Sequence, residues 1–485
     1  MQRKIKIKIK KENILKLLFI ISSILFIIPS LRYFAKFGTV YKFDNWFKFM
    51  LDNSNREMQT LWYIIILALI TIFYILIIKN RNKIFKNIKN ILIYIALIGT
   101  IYVFTIPFMC SDVFYYLGVG RIDQEYNQNP YYSTIKEYVE NNQNEKLEKD
   151  TVLMQGNLND WADTTVVYGP IWQLVCKGIA LLSFGNIDIG LLVFKIINLI
   201  IHILNCYLIY KITGKKIFTL IYGLNPFILI EGIVSVHNDM FVILFTLLSL
   251  YMLLKKKNIV LSVVFLGFAT GIKYFSILLL PFIIIYHVRN QKPLKRFISC
   301  LKYGVIFIIT LLIPYLLYAK DLSILSGMVT QQNKVAKSIY IPISEYFANI
   351  SVEKLSQMLL AIFIIIYAFS CLILLYKNKI KFRQLMQNYN IFLLVFLFGL
   401  ITQFQPWYLM WVFPVIMWQK PNTLKVMALV GIISEFANSV FLLNGEGYTN
   451  GTPFVIIMIA ATLGLALAIE KQTQKRKIKC YTKNI

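Results

Sequence analysis

The chain has 485 residues, of which 58% are hydrophobic, and its mean hydropathy is +0.63. Soluble domains of this length are less apolar, which excludes a soluble enzyme. The formal net charge of +28 does not indicate nucleic-acid binding, because the Lys and Arg residues lie in short connectors between apolar runs, as in 79–83, 255–257 and 377–383. Basic connectors of this kind mark the cytoplasmic side of a membrane protein.

The apolar runs predict an all-α polytopic membrane protein with about 14 transmembrane helices, since each run approaches the ~20 residues that cross a bilayer. We expect the spans at 14–31, 61–78, 91–109, 188–210, 217–235, 238–254, 259–272, 274–288, 297–318, 356–376, 390–403, 405–418, 423–443 and 453–469. The predicted regions are an N-terminal transmembrane hairpin over 1–90, a transmembrane core over 91–318 with a first outer loop at 110–187, a second outer loop at 319–355, and a C-terminal transmembrane region over 356–485 with a basic cytoplasmic tail.

The segment 166–184 decides the predicted topology. If it crossed the membrane, the basic connectors that follow it would lie outside, whereas a re-entrant or interfacial helix returns all of them to the cytoplasm. Gly169-Pro170 and Lys177 also favour a juxtamembrane helix. This choice places both long polar loops, and most of the unusual polar residues of the chain, on the outer face.

The cysteines give no sign of a metal centre. Six are present, and none forms a Cys-x-x-Cys pair, so neither a disulfide framework nor a zinc site is indicated. A metal site at His237 and Asp239 is conceivable, but too few ligands cluster in the sequence to predict one.

The most informative segment follows the third predicted span, where Ser111-Asp112-Val113-Phe114-Tyr115-Tyr116 begins the long polar loop. A lone carboxylate at a membrane edge is commonly a solvated helix terminus. Here Tyr116, Arg121 and Tyr131 accompany Asp112, and this combination favours a catalytic site. Asp112 is the candidate general base; Asp123 and Asp163 are the alternatives.

The order of motifs in this loop resembles the first outer loop of GT-C glycosyltransferases, above all the bacterial polyprenyl-phosphomannose-dependent α-mannosyltransferases. The motifs are Asp112-x-x-x-Tyr116, Gly120-Arg121, Asn129-Pro130-Tyr131, Trp161 and Tyr168-Gly169-Pro170. The resemblance covers about residues 91–418 and continues at Asn225-Pro226, His237-Asn238-Asp239, Gly271-Ile272-Lys273 and Gln405-Pro406-Trp407-Tyr408. The stretch from Glu137 to Asp150 departs from the family pattern, so the acceptor site is expected to differ.

The resemblance implies a GT-C-type fold and a membrane-embedded hexosyltransferase without a cofactor or a catalytic metal. Such an enzyme moves a hexose, with mannose favoured, from a polyprenyl-phosphate donor to a glycolipid or cell-envelope glycan acceptor on the outer face of the cell membrane. Asp112 would deprotonate the acceptor hydroxyl while the lipid phosphate leaves. The expected substrate-binding residues are Tyr116, Arg121, Tyr131, Tyr168, His237, Asn238, Asp239, Lys273, Gln405 and Trp407.

Several of these assignments have a structural alternative. Arg121 and Lys273 could neutralise the leaving phosphate, but a lysine at this position could also extend to water at the membrane interface. The motif at 237–239 could recognise sugar or phosphate, or it could cap a helix. Glu231 lies about one and a half turns before His237 and could face the same cavity, although a structural pairing is favoured. For the whole chain, a lipid-linked oligosaccharide flippase or transporter and a polysaccharide polymerase are the competing functions.

Overall fold

The computed structural model of the chain describes residues 11–28, 56–107, 110–142, 144–332, 334–346, 351–377, 380–444 and 451–481. The structure is 81% helical, and its described part contains no strand, only one isolated β-bridge between Ala336 and Gln403. This confirms the all-α prediction. The end of the predicted first span, 29–31, lies outside the described residues.

The helices follow one another along the whole chain. They are α1 Lys11–Leu25, α2 Arg56–Ile84, α3 Ile88–Val103, α4 Asp112–Gln124, α5 Ile135–Asn141, α6 Glu145–Glu148, α7 Thr151–Asn157, α8 Pro170–Ser183, α9 Ile187–Thr213, α10 Lys216–Gly223, α11 Pro226–Leu229, α12 Asp239–Tyr251, α13 Ile259–Thr270, α14 Leu280–Val288, α15 Pro293–Leu312, α16 Ser326–Gln332, α17 Tyr340–Tyr346, α18 Val352–Tyr376, α19 Phe382–Val395, α20 Pro421–Asn444 and α21 Gly451–Tyr481. Segments of π-helix cover Ile230–Val234, Met252–Lys256 and Phe396–Leu400, and segments of 3-10 helix cover Tyr274–Leu279, Ile313–Leu317, Leu322–Leu325 and Pro406–Trp418.

Five helices of the described ranges are long and apolar enough to cross a membrane. They are Glu57–Ile84, Ile187–Thr213, Pro293–Leu317, Val352–Tyr376 and Gly451–Gln474. In α18 only 6% of the most apolar window is buried, as expected for a helix whose side chains face lipid. The chain is therefore a multi-pass helical membrane protein, while the predicted total of about 14 crossings stays a prediction.

The predicted span 217–235 is broken rather than continuous. Helix α10 and the helical segment Pro226–Val234 meet at an angle of 55°, and Pro226 occupies the first turn of α11. Asn225 caps that turn by accepting from the Phe227 amide, and its side-chain Nδ2 donates to the Ala428 carbonyl. Because the capping residue is fully buried, the break is held by the neighbouring helix α20 and is a fixed feature of the fold.

The first polar loop packs as a compact unit around α4. Every residue of α4 from Asp112 to Asp123 is buried. Gly120 allows α8 to approach closely, because a Cβ there would lie 2.3 Å from the carbonyl oxygen of Cys176. Helix α8 has 14 residues, or about 21 Å at 1.5 Å per residue, which is shorter than the ~30 Å hydrocarbon core.

The two predicted outer loops lie against each other. The side chain of Asn129 donates to the carbonyl of Tyr318 over 2.7 Å, and the Tyr132 hydroxyl accepts from the amides of Lys320 and Asp321. These contacts join the first polar loop to the start of the second.

Candidate active site

Asp112 occupies the first turn of α4, at the point where the chain enters the polar loop. Its carboxylate Oδ2 accepts a hydrogen bond of 3.2 Å from the Tyr116 hydroxyl, one helical turn further on. The preceding residue, Ser111, is held by Asn159, which donates to its carbonyl over 2.8 Å. The carboxylate lines a cleft and is only 9% exposed, so it is screened from bulk solvent but can reach a ligand.

A series of tyrosines holds the wall of this cleft. The hydroxyls of Tyr116 and Tyr168 are 3.2 Å apart, and Tyr131 donates to the Tyr168 carbonyl over 2.8 Å. Burial raises the pKa of Tyr168 well above its usual value, so this hydroxyl stays protonated. Tyr116 therefore contacts the carboxylate directly, Tyr168 contacts Tyr116, and Tyr131 supports the backbone of Tyr168.

The position of Tyr168 depends on a close approach of two glycines. A Cβ on Gly169 would lie 2.2 Å from the Gly271 carbonyl oxygen, which only glycine can accommodate. The Gly169 amide donates to the Ile272 carbonyl at 3.4 Å. This contact joins the first polar loop to the turn that carries Lys273, so the two motifs at 168–170 and 271–273 form one structural unit.

Lys273 and Asp239 form a buried ion pair. The ammonium Nζ lies 2.8 Å from both carboxylate oxygens of Asp239, and the side chains are 9% and 0% exposed. Trp411 also donates from Nε1 to this carboxylate, and the Tyr408 ring lies 4.8 Å below the ammonium. Burial lowers the pKa of Lys273, while Asp239 opposes this change. The lysine does not extend to bulk water, which rules out the interfacial alternative.

His237 lies directly behind Asp112. Its Nδ1 is 3.7 Å from Asp112 Oδ2, and its ring stacks on Trp407 with 3.8 Å between centroids. On the other side, Nε2 lies 3.1 Å from Glu231 Oε2, but the two groups are not aligned for a hydrogen bond. Glu231 therefore lies beside His237. Burial lowers the pKa of His237 to about 4, so the imidazole is neutral at physiological pH.

The backbone immediately before His237 has an unusual conformation. The π-helical segment Ile230–Val234 ends immediately before it, and Val236 has a φ of +61°. A β-branched residue rarely adopts the left-handed region, and such strain clusters at functional sites. The π-helical turn and the strained valine together aim Glu231 and His237 at the same region.

Asn238 is not a capping residue in the structure. It precedes α12, but its side chain makes no capping hydrogen bond, and both amide atoms are buried without a partner among the described residues. Asp239 is likewise engaged by Lys273 and Trp411 rather than by backbone amides. Helix capping by the Asn238 side chain is therefore not observed.

Two spaces lie in this region, and Asp112 lines the smaller of them. The smaller, of about 40 Å³, is lined by Asp112, Gln405 and Trp407 among others. The larger, of about 380 Å³, is lined by Lys273, apolar side chains and helix α18. Both include Tyr168 and Tyr408 in their walls, so the two spaces are neighbours. The buried Gln405 has a side-chain oxygen without a described partner, facing the smaller space.

Arg121 is not part of this cluster. It lies nine residues beyond Asp112 on α4, or about 13 Å along the helix. Its Nε is 2.6 Å from Asp150 Oδ2, and its Nη1 donates to Gln124. The guanidinium therefore holds the far end of the loop, including the stretch that departs from the family pattern, and does not reach the space beside Asp112.

The two alternative carboxylates differ from Asp112 in their surroundings. Asp123 accepts hydrogen bonds from Lys177, Gln173 and Tyr318, so its oxygens are committed to structure. Asp163 is exposed on the surface of the loop. Neither shares the combination of a cleft and a neighbouring histidine that surrounds Asp112.

The structure also brings in residues that the sequence did not single out as site residues. Gln331 and Gln403 form a hydrogen bond at the mouth of the cleft, and Tyr408 and Trp411 contact Lys273 from one side. Cys110 joins Asp112 and His237. In the sequence these residues are marked at most by their position next to a motif. The contact between segments 336–338 and 402–404 joins parts of the chain that are far apart in sequence, so no local pattern predicts it.

Lys337, from the second loop, is buried near the same cluster rather than solvated. Its Nζ donates to Asn438 Oδ1 over 3.0 Å, and burial lowers its pKa to about 8. This lysine therefore contributes charge to the interior of the protein.

The helices and the buried site together define a multi-pass membrane protein with an acidic site walled by aromatic rings. Residues 21–289, more than half of the chain, match the MptA_B family profile, described as alpha-(1->6)-mannopyranosyltransferase, N-terminal domain. The chain belongs to this family, which confirms the resemblance to GT-C mannosyltransferases and supports a glycosyltransferase that moves mannosyl groups. The matched region includes Asp112 and Lys273, whereas Gln405 and Trp407 lie beyond it. Comparisons with curated proteins and with solved structures find no significant match.

Proposed function

We propose that this protein transfers a mannosyl group from a polyprenyl-phosphate donor to a glycan or glycolipid acceptor, with Asp112 as the general base. One observation carries the proposal: within a family of mannosyltransferases, a buried carboxylate at a helix start borders a cleft and contacts tyrosine and histidine. A single base of this kind suffices for an inverting transfer, in which the acceptor hydroxyl displaces the phosphate.

The proton transfer follows from the geometry around Asp112. Tyr116 donates to Oδ2, which leaves lone pairs of the carboxylate for the acceptor hydroxyl. The neutral imidazole of His237 adds no positive charge beside the carboxylate. As the acceptor oxygen attacks the anomeric carbon, its proton moves to Asp112, and the bond to the donor phosphate breaks.

The departing phosphate requires a cation, and Lys273 is the residue that we assign to it. An ammonium has three donors, and Asp239 positions it with its two oxygens. Lys273 also lines the larger, mainly apolar space beside α18. A polyprenyl chain in that space would place its phosphate next to Lys273 and its sugar between Tyr168 and Asp112. Arg121, committed to Asp150, has no part in this step.

The walls of the smaller space suit a sugar. Trp407 and Tyr168 offer flat rings, and Gln405 carries a buried amide oxygen without a described partner. Since a volume of about 40 Å³ accommodates only a few waters at about 10–15 Å³ each, we expect these side chains to move apart when the hexose enters.

The test is mannosyl transfer from polyprenyl-phosphomannose by the purified protein in lipid, with a membrane glycan extract as acceptor and release of polyprenyl phosphate as readout. Asp112→Asn is expected to lower the rate by roughly 100-fold or more with an unchanged unfolding midpoint. Asp163→Asn, at an exposed carboxylate of the same loop, is the matched control and is expected to retain activity.

Three results separate the competing functions. Equal transfer by wild type and Asp112→Asn would remove the base assignment. Transfer only from other lipid-linked sugars would keep the class of reaction and change the donor. Movement of a lipid-linked sugar across vesicles without any transfer would favour a flippase.

The outer face is the proposed side of the reaction, from the charge of the connectors. Single cysteines introduced at Asn142 and Lys257 are expected to react with a membrane-impermeant reagent at Asn142 only. Labelling at Lys257 alone would reverse the topology.

A further inference from the structure

Three potential metal ligands, one of which is the proposed base, come together from two parts of the chain, the segment 110–112 and His237. The sulfur of Cys110, a carboxylate oxygen of Asp112 and a ring nitrogen of His237 all lie within 4.8 Å of one another. Asp112 Oδ2 and His237 Nδ1 are 3.7 Å apart. Two ligands of a tetrahedral zinc ion, bound at about 2.0–2.3 Å, are separated by about 3.6 Å. The distance between these atoms therefore suits a shared ion.

The histidine provides a second, independent observation. His237 is fully buried, and neither ring nitrogen has a hydrogen-bond partner among the described residues. A histidine that binds a metal through one nitrogen commonly directs its other N–H at a carboxylate. Glu231 lies 3.1 Å from Nε2, on the side away from Asp112, and stacking on Trp407 fixes the plane of the ring.

We infer that Cys110, Asp112 and His237 form a binding site for a soft divalent cation, of which Zn²⁺ is the expected occupant, and that its binding inhibits transfer. A thiolate, an imidazole and a carboxylate form a ligand set that favours zinc over magnesium or manganese. The fourth position faces the cleft and takes water. The Cys110 thiol loses its proton when the ion binds.

The inhibition rests on the proposed function, because Asp112 would serve both as a metal ligand and as the general base. An ion coordinated by this carboxylate occupies the lone pairs that accept the proton of the acceptor hydroxyl. The binding itself is independent of that mechanism, because it is defined by three ligands and needs no substrate. Failure of one idea therefore leaves the other standing and measurable.

The experiment uses the full chain, freed of any affinity tag, stripped with a chelator and reconstituted in lipid nanodiscs. Zn²⁺ binding is measured by equilibrium dialysis, and Co²⁺ is used as a spectroscopic substitute. Wild type is expected to bind one Zn²⁺ per chain and, with Co²⁺, to show a thiolate charge-transfer absorption. Cys110→Ser is expected to lose that absorption and to bind Zn²⁺ at least ten-fold more weakly. Cys300→Ser, at a partly exposed thiol on α15, is the matched control and should behave as wild type.

A change at Glu231 tests the supporting carboxylate. Glu231→Gln is expected to weaken Zn²⁺ binding by roughly 10- to 100-fold while the Co²⁺ thiolate absorption remains, because the three ligands are intact.

The outcomes are separable. Absence of saturable Zn²⁺ binding by wild type, or unchanged binding by Cys110→Ser, overturns the site. Activity that is lost on stripping and restored by Zn²⁺ overturns the inhibitory role. Binding with a thiolate signature, together with inhibition that Cys110→Ser relieves at least ten-fold, supports both parts. If Zn²⁺ binds as expected while Asp112→Asn still transfers mannose, the metal site stands and the base assignment fails.

Discussion

The ion pair between Lys273 and Asp239 allows a structural role to be separated from a catalytic one. Both oxygens of Asp239 lie 2.8 Å from the ammonium, and both side chains are buried. Removing one partner leaves an uncompensated buried charge, which destabilises by roughly 3–5 kcal/mol. Lys273→Met and Asp239→Asn should each have that effect. The double variant leaves neither charge unpaired, and Trp411 can still donate to the amide oxygen of an asparagine.

We therefore expect the double variant to be more stable than either single variant, measured as the free energy of unfolding by urea in mild detergent. Its transfer rate should nevertheless remain roughly 100-fold below wild type, because the cation that faces the leaving phosphate is absent. Recovery of both stability and activity in the double variant would contradict the assignment of Lys273 to the phosphate. Additive losses of stability would show that the two side chains do not interact in the protein.

Three further predictions test the surroundings of the site. Gly169→Ala should displace Tyr168 and reduce transfer at least ten-fold, whereas Gly178→Ala, where a Cβ meets open space, should have no effect in the same assay. Arg121→Met should lower the thermal unfolding midpoint and speed proteolysis within 137–150, while KM for the donor stays unchanged; a raised KM would return Arg121 to the substrate site. The pKa of Lys337 is about 8 in the folded protein and has its ordinary value of 10.5 in the unfolded chain. Between pH 8 and pH 10.5 the unfolded chain therefore binds more protons than the folded protein. Stability should therefore rise by about 3 kcal/mol from pH 8 to 10.5, and Lys337→Met should remove this rise in urea titrations at several pH values.

Much of the site could be predicted because its members carry local signals. Asp112 ends an apolar run, His237 interrupts another, and Lys273 lies between two short ones. Polar residues at such positions are costly in a membrane unless they serve a purpose. The basic connectors predict that these interruptions lie on one side of the membrane. The structure brings Asp112, His237 and Lys273 into a single cluster with Tyr168 and Trp407.

The sequence could not predict the assignments that depend on which side chains pair with each other in the fold. Arg121 has the geometry to bind a phosphate, but Asp150, 29 residues away, takes its guanidinium. Nothing in the local pattern distinguishes a paired arginine from an available one. The same applies to Cys110, which lies at the end of an apolar run. It becomes a candidate metal ligand only because the fold brings His237 close to it. The number of crossings is also poorly determined, because short apolar runs form bent and 3-10 segments as readily as full spans.

The arrangement around His237 explains why so many polar groups can lie together inside an apolar protein. After the break before Pro226, the π-helical turn at 230–234 places Glu231 beside His237, which in turn lies beside Asp112. The left-handed Val236 lies between this turn and α12. An ordinary helix through this segment would satisfy its backbone but would turn these side chains away. Buried atoms that lack partners are unfavourable by about 1–3 kcal/mol each, and a bound sugar, phosphate or ion would supply the missing partners. We therefore expect ligand binding to stabilise this segment more than any other part of the protein, as slower amide hydrogen exchange at residues 230–239 would reveal.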